Sequence, residues 1–163
     1  MKSQGKNMRR GALATCVFVL AFAGIAVAET TRDEYKAQVE PICKTNKEES
    51  EKFLKGVKTL VKKDKLKQAG AAFSKAAKAL EKAEKQLAAV PQPAADSAKL
   101  GKWLSDIKGE VSLMKTIAAK FKAGNKSKGS SLSVKLTHNA TVANNLVIVF
   151  QFRYCKIDPS KFS

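Results

Sequence analysis

Apolar residues recur along most of this chain at steps of three and four, the spacing of a single buried stripe on an α-helix. In the first run Tyr35, Val39, Ile42, Phe53, Val57 and Leu60 fall on these steps or their multiples, with Lys and Glu between them. The pattern predicts a first helix over about 32–62. Thr31 can cap it, and Asp33 and Glu34 sit in its first turn, where the helix dipole favours negative charge. Pro41 lies inside this helix and is expected to kink it.

A second stripe, Leu66, Ala69, Phe73, Ala76, Leu80, Ala83, Leu87 and Val90, keeps an unbroken alternation of three and four, like a coiled-coil seam. Asp64 is its expected cap, and Pro91-Gln92-Pro93 stops it. The third stripe, Leu100, Leu104, Ile107, Val111, Met114, Ala118 and Phe121, predicts a helix over about 94–123, ended by Gly124-Asn125, with Trp103 flanking its apolar face. Residues 125–131 contain no apolar side chain and read as a Gly/Ser/Lys linker. In the last segment Leu132, Leu136, Ala140, Ala143, Val147 and Phe150 fit a helix. The runs 132–136 and 150–154, however, alternate like strands.

Three antiparallel helices joined by short links leave an apolar groove that a fourth helix closes. The expected fold is therefore an all-α, antiparallel up-down four-helix bundle, with a fourth helix to about 149 and an extended tail carrying Cys155. Three helices plus a C-terminal β-hairpin is the alternative.

Length and charge add where the chain goes. At 163 residues it suits one compact domain. Residues 1–28 have the layout of an export signal: Lys2, Lys6, Arg9 and Arg10, then an apolar stretch from Gly11 to Ile25, then Ala26-Val27-Ala28. Cleavage after Ala28 leaves 29–163 as the helical domain. An uncleaved anchor is the alternative, although the apolar stretch falls short of the roughly 20 residues that span a bilayer comfortably. Thr15 stands where a small residue precedes a lipid-modified cysteine, so Cys16 is expected to leave with the signal.

Cys43 and Cys155 remain, an even pair in a chain expected to be exported, where oxidation is permitted. A disulfide is the expected state, worth about 4 to 5 kcal/mol for so long a loop in the chain-entropy account. Neither cysteine has a His or a second Cys at ligand spacing, which makes a metal site the weaker alternative. In the up-down order both cysteines fall near one pole.

Tyr35, Ile42 and Cys43, followed by Ala143-Asn144-Asn145 and Phe150-Gln151-Phe152-Arg153-Tyr154-Cys155, give the chain a family likeness. It resembles small exported all-helical proteins of unknown function from actinobacteria, over the whole of 29–163. That resemblance implies that the two cysteines pair and that the fold is a helical bundle; it brings no activity with it.

Catalytic chemistry finds little to work with. His138 is the lone histidine, so a His-based catalytic pair or multi-His metal site cannot be assembled from this chain. A haem held by His138 and Met114 is a remote reading, and no Cys-x-x-Cys-His is present. There is no Gly-x-Ser-x-Gly and no Gly-rich phosphate loop, and the carboxylates show no paired pattern distinct from helix surface. Glu48, Glu49 and Glu51 are expected to pair with Lys47, Lys52 and Lys55 along the helix. Asn144 and Asn145 interrupt an apolar run and are expected to bond across helices. The sequons Asn125-Lys126-Ser127 and Asn139-Ala140-Thr141 are short enough to arise by chance.

Charge is the most informative feature. Of the 31 basic residues four precede residue 29, leaving 27 against 14 acids and a net +13 on 29–163. Arg32 and Arg153 are the only arginines there, which argues against sequence-specific reading of nucleic acid, where bidentate Arg is the commonest device. Lys62, Lys63, Lys65 and Lys67 in one turn and Lys120, Lys122, Lys126 and Lys128 around another fall at the same pole of the expected bundle, opposite the cysteines. The expectation is an exported, non-catalytic module of the envelope or exterior. Its lysine pole would meet anionic wall polymers or acidic lipid surfaces, without a cofactor. A structural bundle that associates with itself or a protein partner is the alternative.

Overall fold

The computed structural model describes residues 29–158, so the segment expected to be an export signal, with Cys16, lies outside the described residues. The elements are α1 (Arg32–Leu54), α2 (Val57–Lys62), α3 (Leu66–Ala88), α4 (Ser97–Lys122) and α5 (Lys126–Leu146), with single 3-10 turns at Ala94–Asp96 and Ile148–Phe150. The fold is an all-α, disulfide-closed bundle of four long helices, with α2 as a short outlier. Among the described residues there is no strand, so the C-terminal hairpin is excluded.

Thr31 caps α1 as expected, in a reciprocal arrangement. Its Oγ1 accepts from the Glu34 amide at 3.2 Å while the Glu34 carboxylate accepts from the Thr31 amide at 2.8 Å. The helix runs on through Pro41, whose side chain is exposed. It stops well before 62, because Gly56 adopts the left-handed φ of +77° that a glycine takes at no steric cost. The step from Phe53 to Val57 to Leu60 hid that break, since it keeps a helical interval across it.

Two further expectations change. Asp64 does not cap α3 but sits in the left-handed region itself (φ 57°), and its carboxylate accepts from Lys126 at 2.8 Å. Residues 125–131 are not a linker: Asn125 accepts from the Lys128 amide at 3.0 Å and opens α5 there. The first turns of α5 lack apolar side chains because Gly129 does their packing. A Cβ at Gly129 would stand 2.5 Å from the Phe121 ring.

α1 packs on α3, α3 on α4 and α4 on α5, but α1 makes no comparable pairing with α5. The C-terminal tail fills that seam. Phe152 lies 5.2 Å from Phe150 and 5.7 Å from Trp103 (ring centroids), and Tyr35 packs at 6.1 Å from Phe150. Trp103, placed by the sequence on the flank of its stripe, is in the core. The Glu40 carboxylate accepts from the Arg153 amide and, at 2.9 Å, from the Tyr154 amide. Asn144 donates to the Ile157 carbonyl at 2.8 Å and accepts its amide at 2.9 Å. Asn144 thus clamps the tail rather than another helix, and Asn145 is exposed.

Cys43 and Cys155 are bonded, with Cα atoms 4.9 Å apart and a separation of 112 positions in sequence. At the N-terminal end of α1, eleven residues before Cys43, Arg32 grips Asp96 through Nε at 2.6 Å and Nη2 at 2.8 Å, which joins the start of α1 to the start of α4. The guanidinium hydrogen bonds hold the buried Asp96 carboxyl below its ordinary range.

Because one bridge carries both cysteines, Cys43→Ser and Cys155→Ser should lower unfolding stability by the same amount, up to about 4 kcal/mol, and the double variant by no more. Denaturant unfolding of the three variants checks this. Unequal losses, or labelling of both cysteines in the unreduced protein by a thiol reagent, contradict the bridge.

Candidate functional site

Two glycines bring the lysine-bearing turns together. A Cβ on Gly70 would lie 2.7 Å from the Ala118 carbonyl oxygen, so only glycine lets the first turns of α3 close on the last turns of α4. Gly129 does the same for α5 against Phe121, as above. The register is antiparallel. Lys115 meets Glu81 at 2.9 Å and Lys122 meets Ser74 Oγ at 2.6 Å, with numbers rising on α4 as they fall on α3.

The turn between α2 and α3 and the turn between α4 and α5 therefore share a pole, joined directly by the ion pair of Lys126 with Asp64. Residues 62–67 and 120–128 carry eight Lys and one acid, Asp64. Lys62, Lys63, Lys65, Lys67 and Lys128 are exposed, and Lys120 is half-buried. Lys122 and Lys126 are already engaged, by Ser74 and Asp64, which leaves six of the eight without a side-chain partner among the described residues. Lys65, Lys67, Gln68 and Lys122 line an open depression around Asp64, in which Leu66 and Phe121 also take part. The opposite pole holds the Arg32–Asp96 pair; the disulfide, expected at that pole, instead ties the tail to the midpoint of α1, because Cys43 lies eleven residues from Arg32 and eleven from Leu54.

Other candidates fall elsewhere. His138 is on the exposed side of α5 while Met114 is buried in the core, so the two do not converge. Lys47 and Glu51 pair at 2.9 Å across one helical turn, the expected surface role of that acidic run. Asn125 has its side chain occupied as a cap. No helix among the described residues is long and apolar enough to cross a membrane.

Glu110 is the group that sequence reading missed. It is fully buried at the middle of α4, and neither carboxyl oxygen has a hydrogen-bond partner among the described residues. Burial, with the Asp106 carboxylate one turn away, pushes it up to about 8. It is thus a neutral acid at pH 7. The available signal was its heptad spacing: Trp103, Glu110 and Ile117 form one row, and all three are buried. It does not line the depression at the lysine pole.

The chain matches no protein-family model, no curated protein and no solved structure.

A carboxyl whose folded value is raised favours the folded state fully only below its unfolded value near 4.5; that advantage is lost as pH rises toward about 8. Wild-type melting temperature should therefore fall between pH 5 and 8. Glu110→Gln should flatten that slope and exceed wild type at pH 8 by a few kcal/mol, since each pKa unit is about 1.4 kcal/mol. Parallel slopes for the two proteins would contradict the assignment.

Proposed function

We propose that this protein is an exported, non-catalytic binding module whose lysine pole attracts anionic polymers of the cell envelope or an acidic membrane surface. The observation that carries the reading is the joining of two lysine-bearing turns at one pole through Lys126 and Asp64, with six further lysines left unpartnered by side chains of the described residues. A solubilising surface would spread its charge with both signs interspersed. Here eight cations and a single anion occupy two adjacent turns.

The chemistry suits diffuse attraction. Lysine is a flexible, hydrated point charge that tolerates many phosphate or carboxylate arrays. Each Lys near an anionic surface contributes about 1 kcal/mol, so six free lysines reach at most about 6 kcal/mol. That corresponds to dissociation constants of tens of micromolar or weaker. Useful retention then requires a polymer or surface that presents many anions at once.

A second reading has its own observation. Val134, Val142, Ile148 and Val149 are exposed, Val134 by 63% and Ile148 by 59%. A structural bundle that pairs with itself or an envelope protein would cover such side chains, and that association would be insensitive to salt.

Co-sedimentation of the protein with cell-wall preparations, native or stripped of anionic polymers, tests the pole. Native walls should retain it, stripped walls should not, and retention should fall steeply with salt. Replacing Lys62, Lys63, Lys65, Lys67, Lys120, Lys122, Lys126 and Lys128 by Gln should cut retention at least tenfold. Undiminished retention would sink the proposal.

A further inference from the structure

Beside the lysine pole, α2 and α5 leave a groove between them. It exists because α2 packs chiefly against α3 among its long neighbours. Left-handed residues on either side, Gly56 and Asp64, turn this six-residue helix out of line with α1 and α3. Val61 of α2, Val134 of α5 and the rings of Phe73 and Phe121 line the groove, together with Lys58 and Lys62. Its volume is about 250 Å³, below that of pockets that enclose a drug-sized ligand. It suits one narrow chain rather than a ring system.

Two features of opposite polarity meet there. Val134, 63% exposed, holds its methyl groups against water, next to a pair of core phenylalanines 5.8 Å apart. Lys58 and Lys62, one helical turn apart on α2, are exposed and have no ion pair among the described residues. A purely hydrophilic polyanion would engage the lysines and leave the apolar lining wet. A neutral lipid would cover the lining and leave the cations unmatched. A molecule with an apolar chain ending in a phosphate satisfies both at once.

We propose that the groove between α2 and α5 receives the acyl chain of an anionic lipid whose phosphate headgroup is held by Lys58 and Lys62. The inference rests on the reading of the adjoining pole as an anion-attracting surface and names its ligand as a lipid rather than a wall polymer. The pole draws the protein to an anionic surface, and the groove then takes one chain from it. Lys58 belongs to this site although it lies outside the two lysine turns.

Calorimetric titration of the purified protein with dodecyl phosphate below its micellar concentration tests this, beside butyl phosphate, dodecyl maltoside and long-chain polyphosphate. Dodecyl phosphate should bind one to one and at least tenfold tighter than either butyl phosphate or dodecyl maltoside. Val134→Gln, at an exposed position that the fold does not need, should weaken it about fivefold and leave polyphosphate binding unchanged. The Lys58→Gln, Lys62→Gln double variant should weaken it about tenfold.

Dodecyl phosphate binding no tighter than butyl phosphate, with polyphosphate still bound, overturns the groove and leaves the pole standing. Dodecyl maltoside binding as tightly as dodecyl phosphate overturns the part given to the lysines. Polyphosphate that fails to bind at all overturns the pole on which the inference rests.

Discussion

Closure of this bundle depends on the C-terminal tail laid across α1, because α1 and α5 make no extensive pairing of their own. The tail meets the physical demands of that seam one by one. Its amides at Arg153, Tyr154 and Ile157 are hydrogen-bonded by Glu40 and Asn144, and its aromatic rings pack on Tyr35 and Trp103. The disulfide then removes much of the freedom that α1 would have in the unfolded chain. Arg32 on Asp96 adds a bidentate clasp at the start of α1.

The molecule is polar as a consequence. One end is held by the Arg32–Asp96 clasp and by the tail's aromatic rings on Tyr35 and Trp103, with the disulfide at mid-bundle; the other is formed by short turns whose close approach rests on Gly70 and Gly129. Charge follows the same division, since the turns of the open end carry eight lysines and a single aspartate. Asp64 has a double part there: it takes the left-handed turn that starts α3 on its new course, and it ties that turn to α5 through Lys126. The buried Glu110 belongs to neither end. Its protonation keeps a charge out of the core between them.

Much of this was legible in sequence, and the failures have physical reasons. The stripes of α3 and α4 are continuous, so their helices and their stop signals read directly. The break at Gly56 was masked because the apolar steps on either side stay in helical phase. The start of α5 was masked because a glycine, rather than an apolar side chain, makes the contact with Phe121. The pairing of the lysine turns followed from topology alone, since short links between antiparallel helices leave no other arrangement. The groove was not legible, because it arises from the displacement of α2, which no local pattern records. Nor were the partners of Glu40 and Asn144, which lie on a tail whose local pattern suggested a strand. Glu110 had a readable heptad position, but a carboxylate on a lysine-rich helix resembles ordinary surface until the neighbours of its row are known.

The most direct measurement is a ¹⁵N-resolved NMR titration of the protein with long-chain polyphosphate at rising salt. The account predicts that amide shifts concentrate in 62–67 and 120–128, saturate together and shrink with salt, while the amides around Cys43 and Cys155 stay in place. Shifts spread evenly over the surface, or centred on the Arg32–Asp96 end, would contradict it.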